Sequence, residues 1–318
     1  MLFALLLALS AHTASPLAPD PFAFRIGFWN NLHHFLYVLG RSHNGEPDAR
    51  RRAVANAPAD VDGLSARSDA ERAAWDEAIR FYANRLSKKD AVFDSDLVRV
   101  TRALAAAPDA SDLSGLGLDP QLVATLQNAA PIYRAVWWPR HQRADSARRD
   151  ELQALAEQHG DAMVKRLTTI YRTTWPSQPR TIDLAAYTNW AGAYSTDAGL
   201  IVVASTDVDQ SGALGLETLL HESSHQWDDE IAGRLSAIAA KVGRPVPDDL
   251  SHALIFYTSG EIVGESFRDY VPYAVKNGLW NHSGLRPLKP LLDQYWRPYI
   301  RGAGTFEDAI AQVLRHLA

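Results

Sequence analysis

The sequence predicts a predominantly helical α+β protein with a small β-sheet. Three observations carry this expectation. Apolar residues recur at three- and four-residue spacing over most of the chain. Two short segments, Thr181 to Thr188 and Leu200 to Ala204, instead read as strands, the first by alternation and the second by its β-branched run. A chain of 318 residues with 47% hydrophobic and 22% charged residues has the composition of a folded globular protein, not a disordered or fibrous one.

Helices are expected in order along the chain. Phe24, Phe28, Leu32, Phe35, Leu36 and Leu39 place a helix over 22–39, with Gly40 as its stop. Residues 41–66 read as a loop, followed by helices over 69–86, 95–107, 119–127 and 132–142. Leu152, Leu155, Met163, Leu167 and Ile170 predict a long amphipathic helix over 145–172, closed by Trp175-Pro176. After the two strands, helices resume over 214–242, 250–276, 291–296 and 307–317. The expected division is a leader over 1–15, a helical region over 16–145, and a metal-bearing region over 146–318 against which that helical region packs.

Composition excludes several functions. With no cysteine, the chain has no disulfide, thiolate metal site, iron–sulfur cluster or nucleophilic thiol, so any metal relies on His and carboxylates. A net charge of −5 gives no general attraction for nucleic acid, and no basic patch is evident. Leu2 to Leu9 followed by Ser10 to Pro16 resembles the apolar core and cleavage region of a secretory signal, which predicts an exported, periplasmic or extracellular protein. No segment reaches the ~20 apolar residues of a membrane span, so no integral membrane segment is expected.

The chemistry concentrates in His221-Glu222-Ser223-Ser224-His225, a His-Glu-x-x-His motif. Two His four apart share a helical face and can converge on one ion, while Glu222 stands beside them as a general base. In a chain with 11 His, a chance match is expected on the order of 0.01 times, so coincidence is a poor explanation. Neutral imidazoles suit Zn²⁺, one per chain, and a catalytic site needs a third protein ligand. A His six residues beyond His225 would supply it, but Ile231 stands there, and Asp228 occupies the place where that arrangement expects Gly. Glu230 lies about 140° around the helix from His225 and faces away.

Downstream, Glu261-Ile262-Val263-Gly264-Glu265 resembles the Glu-x-x-x-Asp helix of the gluzincin metallopeptidases, the thermolysin-like zincins, with Glu265 where Asp is usual. The resemblance covers these two motifs and their order. It implies a zincin-like region with an active-site helix, Glu261 as third zinc ligand and Glu265 supporting a ligand His. It further implies hydrolysis of a peptide or protein substrate by a metal-activated water. For the group that stabilises the developing oxyanion, His252 is a candidate by position and Tyr257 by chemistry. The strand over 199–205 is the expected edge strand along which an extended substrate would lie.

Two other readings compete. A carboxylate-bridged di-iron protein would use Glu222-x-x-His225 as one half-site, but only Asp249-x-x-His252 approximates the second. A helical protein that holds a metal without catalysis is the other. His33-His34, Trp137-Trp138 and His141 read as core packing.

Overall fold

The computed structural model describes residues 20–45, 58–196 and 199–317. The expected leader lies outside them. The first described element is strand β1 (Phe22–Ile26), where the sequence predicts the opening of a helix. The reason is tertiary. Phe22, Phe24 and Ile26 also alternate at period two, and β1 finds a parallel partner in β2 (Arg180–Ala185), in register from Phe22 opposite Arg180 to Ile26 opposite Leu184. Gly27 then turns the extended chain into helix α1 (Phe28–His43).

Helices α2 (Pro58–Ser65), α3 (Asp69–Arg85), α4 (Ser95–Ala106) and α5 (Pro120–Val136) follow. Of these, α2 falls in the expected loop. Ser68 starts α3 through a capping box with Glu71, and Asp94 caps α4, so both helices begin at the residues the sequence predicts. Pro131 lies inside α5 without ending it. The 34-residue α6 (Trp138–Tyr171) begins earlier than expected, runs through the anticipated division near 146, and ends where Arg172 enters the left-handed region at φ 56°.

Strands β3 (Ala193–Ser195) and β4 (Leu200–Ala204) complete a four-stranded sheet of order β1-β2-β4-β3. The first three strands in that order run parallel, and β3 pairs antiparallel with β4. The expected edge strand over 199–205 is therefore interior, because both of its sides are hydrogen-bonded; the edge belongs to β3. Every β4 residue is buried. Ile201 and Val203 enter a core shared with α6 and the C-terminal helices, and Leu200 and Val202 face Ala105 and Tyr194 on the other side. A strand covered on both faces reads as an unbroken apolar run.

The expected single helix over 214–242 is two. Helix α7 (Gly212–Ser224) passes through a tight turn at His225–Trp227 into α8 (Asp228–Val242). Trp227 leaves helical geometry at φ −109°, ψ 13°, and Asp228, Asp229 and Glu230 then favour a fresh helix N-terminus. Helix α9 (Leu250–Gly264) also stops short of the expected end; α10 (Tyr273–Lys276) is separate, after Pro272. Helices α11 (Leu288–Leu291), α12 (Arg297–Ile300) and α13 (Phe306–His316) close the chain, with a π-helical turn over Leu292–Trp296 between the first two.

Two large cores result. Helices α1, α3, α4 and α5 enclose an aromatic one in which Trp75 stacks on Trp137 at 4.4 Å. The other lies between the sheet, α6 to α9 and the C-terminal helices. Asn31, from α1, fastens the first to the sheet: its amide donates to Leu184 O at 3.0 Å, and its carbonyl accepts from Ala186 N at 2.8 Å. Replacing Asn31 with Ala strands both backbone groups in a buried place. The expected loss is about 3 kcal/mol of unfolding free energy, read as a lower urea midpoint at unchanged slope. His33, His34 and His141 are buried and bonded to Tyr82, Tyr194 and Tyr133 at 2.8 Å each, in keeping with a packing role.

Candidate metal centre

Helix α7 delivers the motif from a buried base. Leu216, Leu219 and Leu220 are almost wholly enclosed, which fixes the helix rotation and directs His221 and His225 to the opposite side. Helix α9 packs across α7 and brings His252 to the same point. The His252 Nε2 lies 3.2 Å from His221 Nε2, which lies 3.3 Å from His225 Nε2. Among the described residues, His221, His225 and His252 form the one cluster of metal-ligating side chains whose donor atoms all lie within 4.8 Å of one another.

The donor set fits a divalent ion such as zinc. Three imidazole nitrogens converge where only one proton can sit between any two of them, so a cation satisfies the group better than hydrogen bonding does. Asp228 orients one of the rings: His225 Nδ1 meets its Oδ2 at 2.9 Å, which leaves Nε2 directed at the cluster. The residue that sets this chain apart from the extended-His pattern thus positions a candidate ligand. His221 Nδ1 is buried without a hydrogen-bond partner among the described residues.

Electrostatics keep two of the rings neutral. Burial, together with the neighbouring His225 and His252, holds His221 well below its ordinary pKa. Burial and His225 bring His252 down to about 4. His225 is raised: burial pushes it down, but the Asp228 hydrogen bond and the charges of Glu222 and Asp228 outweigh that effect. Glu222 sits beside the rings with its pKa raised by burial, although His225 and the nearby Ser195 hydroxyl and backbone N–H oppose the shift. Ser195 is the last residue of β3, so the edge strand passes next to the motif Glu.

The structure separates Glu261 and Glu265 from this cluster. Glu261 follows His252 by nine residues on α9, a rise of about 13 Å, so one ion cannot be shared by the two. Its carboxylate instead faces Arg297 Nε at 3.3 Å and Arg301 at 3.6 Å. Glu265 lies farther still, in a two-pronged pair with Arg166 at 2.9 and 3.1 Å. The residue that joins His221 and His225 is His252, expected as an oxyanion donor, and not Glu261. Tyr257 is also turned away, donating to Asp293 Oδ1 at 2.6 Å.

Two residues that the motifs alone do not single out support the centre. Phe256 lies one turn beyond His252, its ring 4.2 Å from that of His221 and 4.5 Å from that of His252. Four-residue spacing from His252 is the signal for it in the sequence. Glu217, one turn before His221, is 1% exposed and accepts from Tyr270 Oη and from Tyr273 N at 2.9 Å. It ties the loop after α9 to the motif helix, and Gly260 makes room for it: a Cβ there would lie 2.7 Å from Pro272 Cβ and 3.3 Å from Glu217 Oε1.

Burial raises Glu217 to about 7, partly offset by its two hydrogen bonds. A carboxyl with a folded pKa above its unfolded value keeps its proton longer in the folded chain. Its contribution to stability is therefore full below the unfolded value near 4.5 and declines as pH rises to about 7. Relative to the Glu217→Gln variant, whose amide does not titrate, the native protein is expected to lose about 3 kcal/mol between pH 4 and 8. Parallel denaturant titrations of the two proteins measure it.

Comparison of the chain with protein-family models, curated proteins and solved structures returned no match.

Proposed function

We propose that this protein is a zinc-dependent hydrolase of peptide bonds, with His221, His225 and His252 holding one ion and Glu222 carrying the proton. The observation that supports the reading is the convergence of three imidazole nitrogens beside the Glu222 carboxylate. Bound there, zinc would supply Lewis acidity, lowering the pKa of a water and polarising a carbonyl.

The chain's own groups do the rest. Glu222, its proton affinity raised by burial, is matched to accept a proton from the attacking water and to pass it to the leaving amine. Ser195, at the end of β3, places its hydroxyl and backbone N–H near that carboxylate, where they favour its charged form. Asp228 keeps His225 in one tautomer. Strand β3 is the sheet edge beside Glu222, and of its residues only Ser195 is partly exposed. The substrate on this reading is a peptide or protein, and no helix among the described residues is long and apolar enough to cross a membrane.

The test combines metal analysis with activity. One zinc per chain and cleavage of a peptide library, abolished by chelator and restored by added zinc, is the expected result. Two irons per chain would favour the carboxylate-bridged alternative, and zinc without cleavage of any peptide would favour a non-catalytic metal protein.

A further inference from the structure

Next to the three histidines the molecule has a cavity of about 350 Å³ that the proposed chemistry does not use. It follows the face of α9 that carries His252: Phe256, Gly260 and Gly264 succeed that residue at intervals of four and form one wall. Phe256 belongs to both places, since its ring touches His221 and His252 and also borders the cavity. Trp280 and Tyr270 add aromatic surface.

The far end is charged. Lys289, Arg297 and Arg301 line the cavity. Against these three cations stand two carboxylates. Asp293 takes Lys289 at 2.6 Å and Arg297 at 2.6 Å, and Glu261 takes Arg297 and Arg301 at 3.3 and 3.6 Å. Glu265 is matched by Arg166. Arg301 is 68% exposed and, among the described residues, holds only its long side-chain contact to Glu261. The weakly answered guanidinium of Arg301 beside aromatic walls favours an anionic guest.

Resting on the hydrolase reading above, we propose that this cavity is a specificity subsite that receives a carboxylate of the substrate about four residues from the scissile bond. The distance follows from the helix. Nine residues from His252 to Glu261 rise about 13 Å, and an extended peptide advances about 3.3 Å per residue. The carboxylate is either an Asp or Glu side chain or the free C-terminus of a short peptide. Arg301 is the residue with most freedom to turn towards it.

Binding is measured first, on the zinc-loaded full chain carrying Glu222→Gln, so that the subsite is read without turnover. Matched peptides carry Glu or Gln at each position, with a free acid or an amide at the C-terminus. The expected result is about tenfold tighter binding of peptides with a carboxylate three to five residues from the metal-proximal position. In Arg301→Glu that ratio falls to about one or inverts towards Lys. The Gly264→Leu variant gives an independent check: a Cβ at 264 has only Tyr270 Cδ1 within 4.0 Å, so the larger side chain enters the cavity, not a neighbour, and should remove the preference. Loss for Gln peptides assigns a side-chain carboxylate, and loss for amidated peptides assigns the C-terminus. Equal binding of Glu and Gln peptides and of acids and amides, or a preference for Lys, overturns the subsite. Failure of the native enzyme to cleave peptides that the Glu222→Gln protein binds with this preference would count against hydrolysis alone.

Discussion

Glu222→Gln is expected to lower kcat by about 10² to 10⁴-fold while the protein keeps one zinc per chain. The substitution preserves the shape of the side chain and removes its capacity to take up a proton. Because Gln has the same size and keeps a carbonyl oxygen towards the nearby Ser195 N–H and hydroxyl, the fold should be unchanged. The measurement pairs initial rates on the best library peptide with metal content by mass spectrometry. Undiminished turnover would show that another group moves the proton, and loss of metal would show that Glu222 helps to hold the ion.

The second large effect separates the two candidates for third ligand. His252→Ala is expected to weaken zinc binding by at least about 100-fold, because it removes one of three convergent nitrogens. Glu261→Ala should leave affinity within a fewfold of native, since its carboxylate engages Arg297 and Arg301 a full two turns and more along α9. Competition with a chromophoric chelator gives both constants. The opposite ranking would return the ligand position to Glu261 and require α9 to sit differently on α7.

Much of the local structure was legible without coordinates. The apolar stripe of α6 and the β-branched run of β4 each encode their own conformation through contacts a few residues apart. Strand β1 was not legible, because Phe22 to Ile26 fits a helical and an extended pattern equally well and only the pairing with β2 chooses between them. Nor was the interior place of β4, which depends on where β3 pairs. The break between α7 and α8 had a local trace in the three consecutive acids at 228–230, masked by apolar spacing that continues through it.

The motif His221-Glu222-x-x-His225 by itself determined a pair of imidazoles on one helical face with a carboxylate beside them, since spacing along a helix fixes direction. It also bounded the ligand types, as a chain without cysteine has only His and acids to offer. Which residue completes the set was decided by the packing of α9 on α7, which brings its first turn to the histidines and carries its last turn, with Glu261, towards α12. A contact between residues 31 apart depends on the relative placement of two helices, and that placement follows from the whole buried core, not from any short stretch of sequence.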